Sequence, residues 1–152
     1  GMPKPTALHL TTQQVIAAVE RLDAKRLPER TLAIWAKQGL VTPSVRYDGK
    51  RGRAHPRLYN LSDCARVRLI VRLRHSGISM FRVRRVLQDI DTRLRHVWHP
   101  KTTAVLTVHG TRAYVGDGKD AGRELGTGQL RLNLDACFLG VETAARQVRS
   151  AA

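Results

Sequence analysis

Apolar positions recur at three- and four-residue steps through residues 11 to 91 and give way to short alternating runs from Thr102 onward. Thr11 with Gln14 has the spacing of a capping box, and Val15, Ala18, Val19 and Leu22 share one face, which predicts a first helix. After a basic connection, Pro28 suits a first helical position, Glu29 the positive end of a helix dipole, Lys37 the last turn and Gly39 the stop. Leu32 and Trp35 fall on the apolar side of this second helix, so Trp35 is read as core. Two helices joined so tightly are the sequence form of a helix-turn-helix.

Residues 44 to 59 read as a hairpin wing, because Val45 and Tyr47 alternate with polar neighbours, Asp48-Gly49 is a turn signal, and Leu58 and Tyr59 lead out. Asn60 and Asp63 stand in capping positions for a third helix through Cys64, Val67, Ile70, Val71 and Leu73, with Arg66, Arg68, Arg72 and Arg74 as its polar face. Ser76-Gly77 ends it. Ser79 caps a fourth helix with the stripe Met80, Val83, Val86 or Leu87, and Ile90. Beyond a joint at residues 92 to 101, Thr103 to His109 and Arg112 to Val115 suggest a hairpin, and Leu130, Leu132 and Leu134 alternate with polar residues. These predict a small antiparallel meander. Phe138, Val141, Ala145 and Val148 then predict a terminal helix laid on that sheet or on a second chain. The expected fold class is a mainly α winged helix-turn-helix followed by a small α+β part. The expected domains are 1–91, the linker 92–101, and 102–152.

Charge changes this picture from a fold to a partner. The 152 residues carry 27 Lys and Arg against 12 Asp and Glu, a formal charge of +15 that calls for a polyanion. Residues 1 to 91 hold 18 of the cations against 7 acids, so the helical part carries most of the excess. With 42% hydrophobic residues the charge sits on a folded body. Lys50, Arg51, Arg53 and Arg57 occupy a wing loop without a single acid between them, suited to a phosphate backbone. Apolar stretches fall far short of the roughly 20 residues that span a bilayer. With no apolar secretory region near the start, a cytoplasmic, nucleoid-associated location without membrane contact is expected. Cys64 and Cys137 lie far apart among apolar neighbours and read as buried thiols.

The run from Thr31 to Pro43 (Thr31-Leu32-Ala33-Ile34-Trp35-Ala36-Lys37-Gln38-Gly39-Leu40-Val41-Thr42-Pro43) resembles the recognition-helix signature of the MerR family of transcriptional regulators. The similarity continues in register through Arg57-Leu58-Tyr59, Asp63, Val67, Ile70, Leu73-Arg74, Gly77-Ile78-Ser79 and Val83-Arg84-Arg85-Val86-Leu87, about residues 11 to 91 in all. The resemblance implies that the second helix enters the major groove of double-stranded DNA, with Arg30, Thr31 and Lys37 on its DNA side. It further implies that Arg57 and Tyr59 grip phosphates at the wing. This chain has Ala33 and Ala36 where the family usually has Arg and an acid, and its wing is longer, adding Lys50, Arg51 and Arg53. Pro100 and the Gly-rich stretch replace the family's long dimerising helix. A homodimer is therefore expected through the stripe of Phe138, Val141, Ala145 and Val148.

Other chemistries find little support. His96 and His99 have a metal-like spacing but no nearby Cys or carboxylate to complete a site, so no metal and no cofactor are expected. No P-loop, Gly-x-Ser-x-Gly elbow or acidic metal cluster is present, which argues against an enzyme. The sequence reading is a sequence-specific, duplex-binding transcriptional regulator. The alternative is a DNA-binding antitoxin or a phage-type excisionase or packaging accessory whose C-terminal part docks a protein partner.

Overall fold

The structure is a computed structural model, and it describes residues 8–43, 57–93, 104–110, 112–117 and 129–151. Contacts group the chain into two compact units, residues 1–65 with 140–152, and residues 66–139. The expected linker falls outside the described residues except for Thr92 and Arg93, which close a helix.

The first unit opens with a two-residue strand, β1 (Leu10–Thr11), which runs straight into α1 (Thr12–Asp23). The capping box forms as expected. The Thr11 hydroxyl accepts from the Gln14 N–H at 3.2 Å, and the Gln14 side chain accepts from the Thr11 N–H at 2.9 Å. Val15, Ile16, Ala18 and Val19 are buried. The helix ends on Ala24, a non-glycine residue at φ 52°, and the chain turns into α2 (Glu29–Lys37). Glu20 holds that turn, its carboxylate accepting the Leu27 N–H at 2.7 Å. Leu32 and Trp35 of α2 are buried, as their spacing predicts. The stop at Gly39 is a Schellman motif: Gly39, at φ 76°, donates to the Ala36 carbonyl, and Leu40 donates to that of Trp35. A second strand, β2 (Leu58–Tyr59), pairs antiparallel with β1, Tyr59 opposite Leu10 and Thr11 opposite Leu58. The wing exit is thus tied to the residues that precede α1. The tip of the expected wing, residues 44–56, lies outside the described residues.

α3 (Leu61–His75) starts with a reciprocal cap, the Asn60 side chain accepting from the Asp63 N–H at 2.8 Å and Asp63 from the Asn60 N–H at 2.9 Å. Within the second unit, Arg66 makes a two-pronged ion pair with Asp91, at 2.6 and 2.9 Å. Arg68 corrects the expectation of a solvent-facing polar stripe. It is 4% exposed, and one guanidinium nitrogen donates to the carbonyls of Ala136, Cys137 and Leu139. Those carbonyls close the short 3-10 turn Asp135–Cys137, where the backbone presents its negative end to a buried cation. A second Schellman motif ends α3 at Gly77, at φ 86°, and Ser79 caps α4 (Met80–Arg93).

The strands β3 (Ala104–His109), β4 (Arg112–Asp117) and β5 (Gln129–Asn133) form an antiparallel sheet in the order β4-β3-β5. This corrects the expected meander, in which β5 would pair with β4. The outer edge of β4 is already taken: α4 packs against that strand, Asp89 accepts the Ala113 N–H, and Arg82 donates to the Gly110 carbonyl. β5 therefore returns to the other edge of β3. Leu106, Val108 and Ala113 are buried on one side of the sheet.

The terminal helix α5 (Val141–Ser150) gives a further correction, because it packs against α1 rather than on the sheet. Its contact side presents Val141, Ala144 and Ala145, all buried, and the two alanines let the backbones approach closely. Gly140, at φ 78°, sits so near α1 that an added Cβ would meet the Leu22 side chain at 3.0 Å. Arg21 fastens the pair by donating to the Gln147 side chain at 2.7 Å.

Candidate nucleic-acid interface

α2 presents two faces. Leu32 and Trp35 face the core, while Arg30, Ile34 and Lys37 are exposed at spacings of four and three residues, one stripe along the opposite side. Thr31 is half-buried on the flank of that stripe, and Ala33 and Gln38 border it. Arg30, Thr31 and Lys37 are thus brought onto one helix, two of them fully outward.

Ile34 is the residue that sequence reasoning passed over. It is 43% exposed although isoleucine is normally buried, and it stands between the two cations. The signal was present in the i, i+4, i+7 spacing of Arg30, Ile34 and Lys37. What that face can do chemically follows from its composition: two long cationic donors suit guanine edges or phosphates, and a branched apolar group suits a thymine methyl.

Of the wing residues, Arg57 is exposed at the entrance to β2. Lys50, Arg51 and Arg53 lie outside the described residues. Tyr59 is placed differently from its expected role, because its side chain is 0% exposed and its register opposite Leu10 points it inward. A phosphate grip by Tyr59 does not fit this burial. Burial pushes its hydroxyl pKa above the ordinary value, and the Thr12 side chain and the Arg57 charge only partly offset that push. Among the described residues this hydroxyl makes no hydrogen bond of full geometry.

The stripe expected to pair two copies is also largely covered within the chain. Phe138, Val141 and Ala145 are buried and Val148 is half-buried. Cys64 and Cys137 are buried thiols. Among the described residues no group of three His, Cys, Asp or Glu side chains is placed to hold a metal, and His96 and His99 lie outside them. No helix among the described residues is long and apolar enough to cross a membrane.

Two helices joined by a carboxylate-held turn, the second with a buried aromatic side and an exposed cationic one, define a helix-turn-helix of the DNA-binding class. Residues 24–90 match the family model of the MerR HTH family regulatory protein, and this segment belongs to that family. The match starts at the end of α1 and runs almost to the end of α4, so it takes in the turn, α2, the wing and both following helices. No curated protein matches the chain.

Proposed function

We propose that the protein is a sequence-specific transcriptional regulator that reads duplex DNA with α2. The observation that carries this is the exposed stripe of Arg30, Ile34 and Lys37, set on the second helix of a segment that belongs to a family of DNA-binding regulators. Arg30 and Lys37 donate to base edges or to the flanking phosphates, Ile34 packs on a thymine methyl, and Thr31 steadies the helix at the groove wall. Arg57, with Lys50, Arg51 and Arg53 of the wing, neutralises the backbone beside the groove. Tyr59 supports the wing from inside by closing the β1–β2 pair over α1.

A single helix-turn-helix reads only a few base pairs, so two copies on two half-sites would supply the specificity a regulator needs. With Phe138, Val141 and Ala145 buried in the chain, such a pair draws on other surfaces, and Leu139, at 76% exposure, is the largest apolar side chain left outside. Selection of bound fragments from random duplex DNA tests the reading. The expected result is one enriched motif made of two related halves whose centres are about one helical turn apart. A single asymmetric site would favour an accessory protein that recruits a partner. No motif at all would contradict sequence-specific reading.

A further inference from the structure

The second unit carries a surface with no part in the helix-turn-helix. In an antiparallel sheet, residues directly opposite one another on neighbouring strands share a face. Thr107 lies opposite Tyr114 on one side and Arg131 on the other, and His109 lies opposite Arg112 and Gln129. Leu106 and Val108, with their partners Ala113, Val115, Leu130 and Leu132, make up the other, apolar face. The polar face thus carries a cross-strand row of Tyr114, Thr107 and Arg131, followed by a row of Arg112, His109 and Gln129.

Exposure follows the same division. Tyr114 is 55% exposed, Arg112 and His109 are exposed, and Thr107 and Arg131 are half-buried. The next row is Gly116, Val105 and Asn133, of which only Val105 is buried. Among the described residues of this face there are two arginines, a histidine and no carboxylate. A solvent-facing strand position has no packing reason to hold an aromatic ring, and the cations around it repel one another without an anion to hold.

We propose that this sheet face is a binding site for single-stranded nucleic acid, in which a base stacks on the Tyr114 ring and the neighbouring phosphates are met by Arg112 and Arg131. The spacing suits a strand rather than a duplex. Arg112 is two residues along β4 from Tyr114, about 7 Å, and Arg131 is two strands across, about 10 Å, so ring and cations form one shallow platform. Duplex DNA hides its base faces, and a flat sheet that meets only its backbone has no use for the ring. This inference stands apart from the reading of α2, and either fails without the other.

The test uses the full chain with fluorescently labelled oligo(dT) and oligo(U) of about twelve nucleotides, and a labelled duplex of the same length. Tyr114→Ala should weaken binding of the single strands about fivefold or more and leave duplex binding unchanged, whereas Tyr114→Phe should bind as the parent does. Arg112→Gln should reduce the log-log salt dependence of single-strand binding by about 0.7. Thermal melting of each variant checks that the sheet is intact, since both positions are exposed. Tighter binding of either oligonucleotide identifies the preferred sugar, and both results support the site. Equal single-strand affinity for parent and Tyr114→Ala overturns the proposal, as does a parallel loss on the duplex. A Tyr114→Ala chain that changes its oligomeric state but not its oligonucleotide affinity shows a protein contact instead, and also overturns it.

Discussion

Tyr59 is a wing residue turned inward, and its hydroxyl makes two opposite demands on the reading of the interface. If it grips phosphate it must be reachable; as folded it is 0% exposed, and burial raises its pKa. The raised pKa has a defined consequence for stability. Below about pH 10 the phenol is protonated in both folded and unfolded chains and exerts no pH-dependent pull. As pH rises past that value the unfolded chain ionises first, so the folded state loses stability. Tyr59→Phe should therefore blunt the alkaline loss seen in unfolding titrations, while duplex affinity and its salt dependence stay as in the parent. A Phe variant that bound DNA more weakly, with a shallower salt slope, would return the hydroxyl to the phosphate backbone. The sequence was a good guide to residues whose neighbours are local: Trp35 and Cys64 are core because helical spacing puts them there. It was a poor guide to Tyr59 and Arg68. The first is buried by a strand pairing with Leu10, and the second by carbonyls at Ala136 to Leu139, both far away along the chain.

At the scale of elements, the boundaries legible in the sequence are those set by caps. Thr11 with Gln14, Asn60 with Asp63, Gly39, Gly77 and Ser79 all act within a few residues of where they stand. Which element lies on which was not legible, because an apolar stripe shows that a face is buried without naming its cover. The terminal helix shows the point: its stripe fits a sheet, a second chain or α1, and small residues at Gly140, Ala144 and Ala145 suit the close approach to α1. Gly140 is the position where this packing is most exposed to challenge. Its φ of 78° is left-handed, and a Cβ there would press on Leu22. Gly140→Ala should cost about 1 kcal/mol or more, read as a lowered midpoint in thermal or denaturant unfolding. An unchanged midpoint would mean that α5 is not seated on α1 as described. The strand order β4-β3-β5 was equally hidden, since nothing in the alternation of Leu130 and Leu132 tells that α4 occupies the other edge.

For the whole molecule, the charge of +15 makes binding to duplex DNA strongly dependent on salt. The wing's share is measurable: replacing Arg51 and Arg53 together by Ala should reduce the log-log salt slope by about 1.8 if each neutralises one phosphate. An unchanged slope would remove the wing from the interface. Salt dependence alone does not make a regulator, because phosphate contacts position a protein without reading sequence. The central claim rests on α2, and the most direct measurement compares Arg30→Ala and Lys37→Ala on the selected site and on random duplex DNA at one salt concentration. The account predicts that both variants lose more affinity for the selected site than for random DNA, by about fivefold or more for a lost base contact. Equal losses on the two DNAs would show that α2 touches only the backbone, and would contradict sequence reading by this helix.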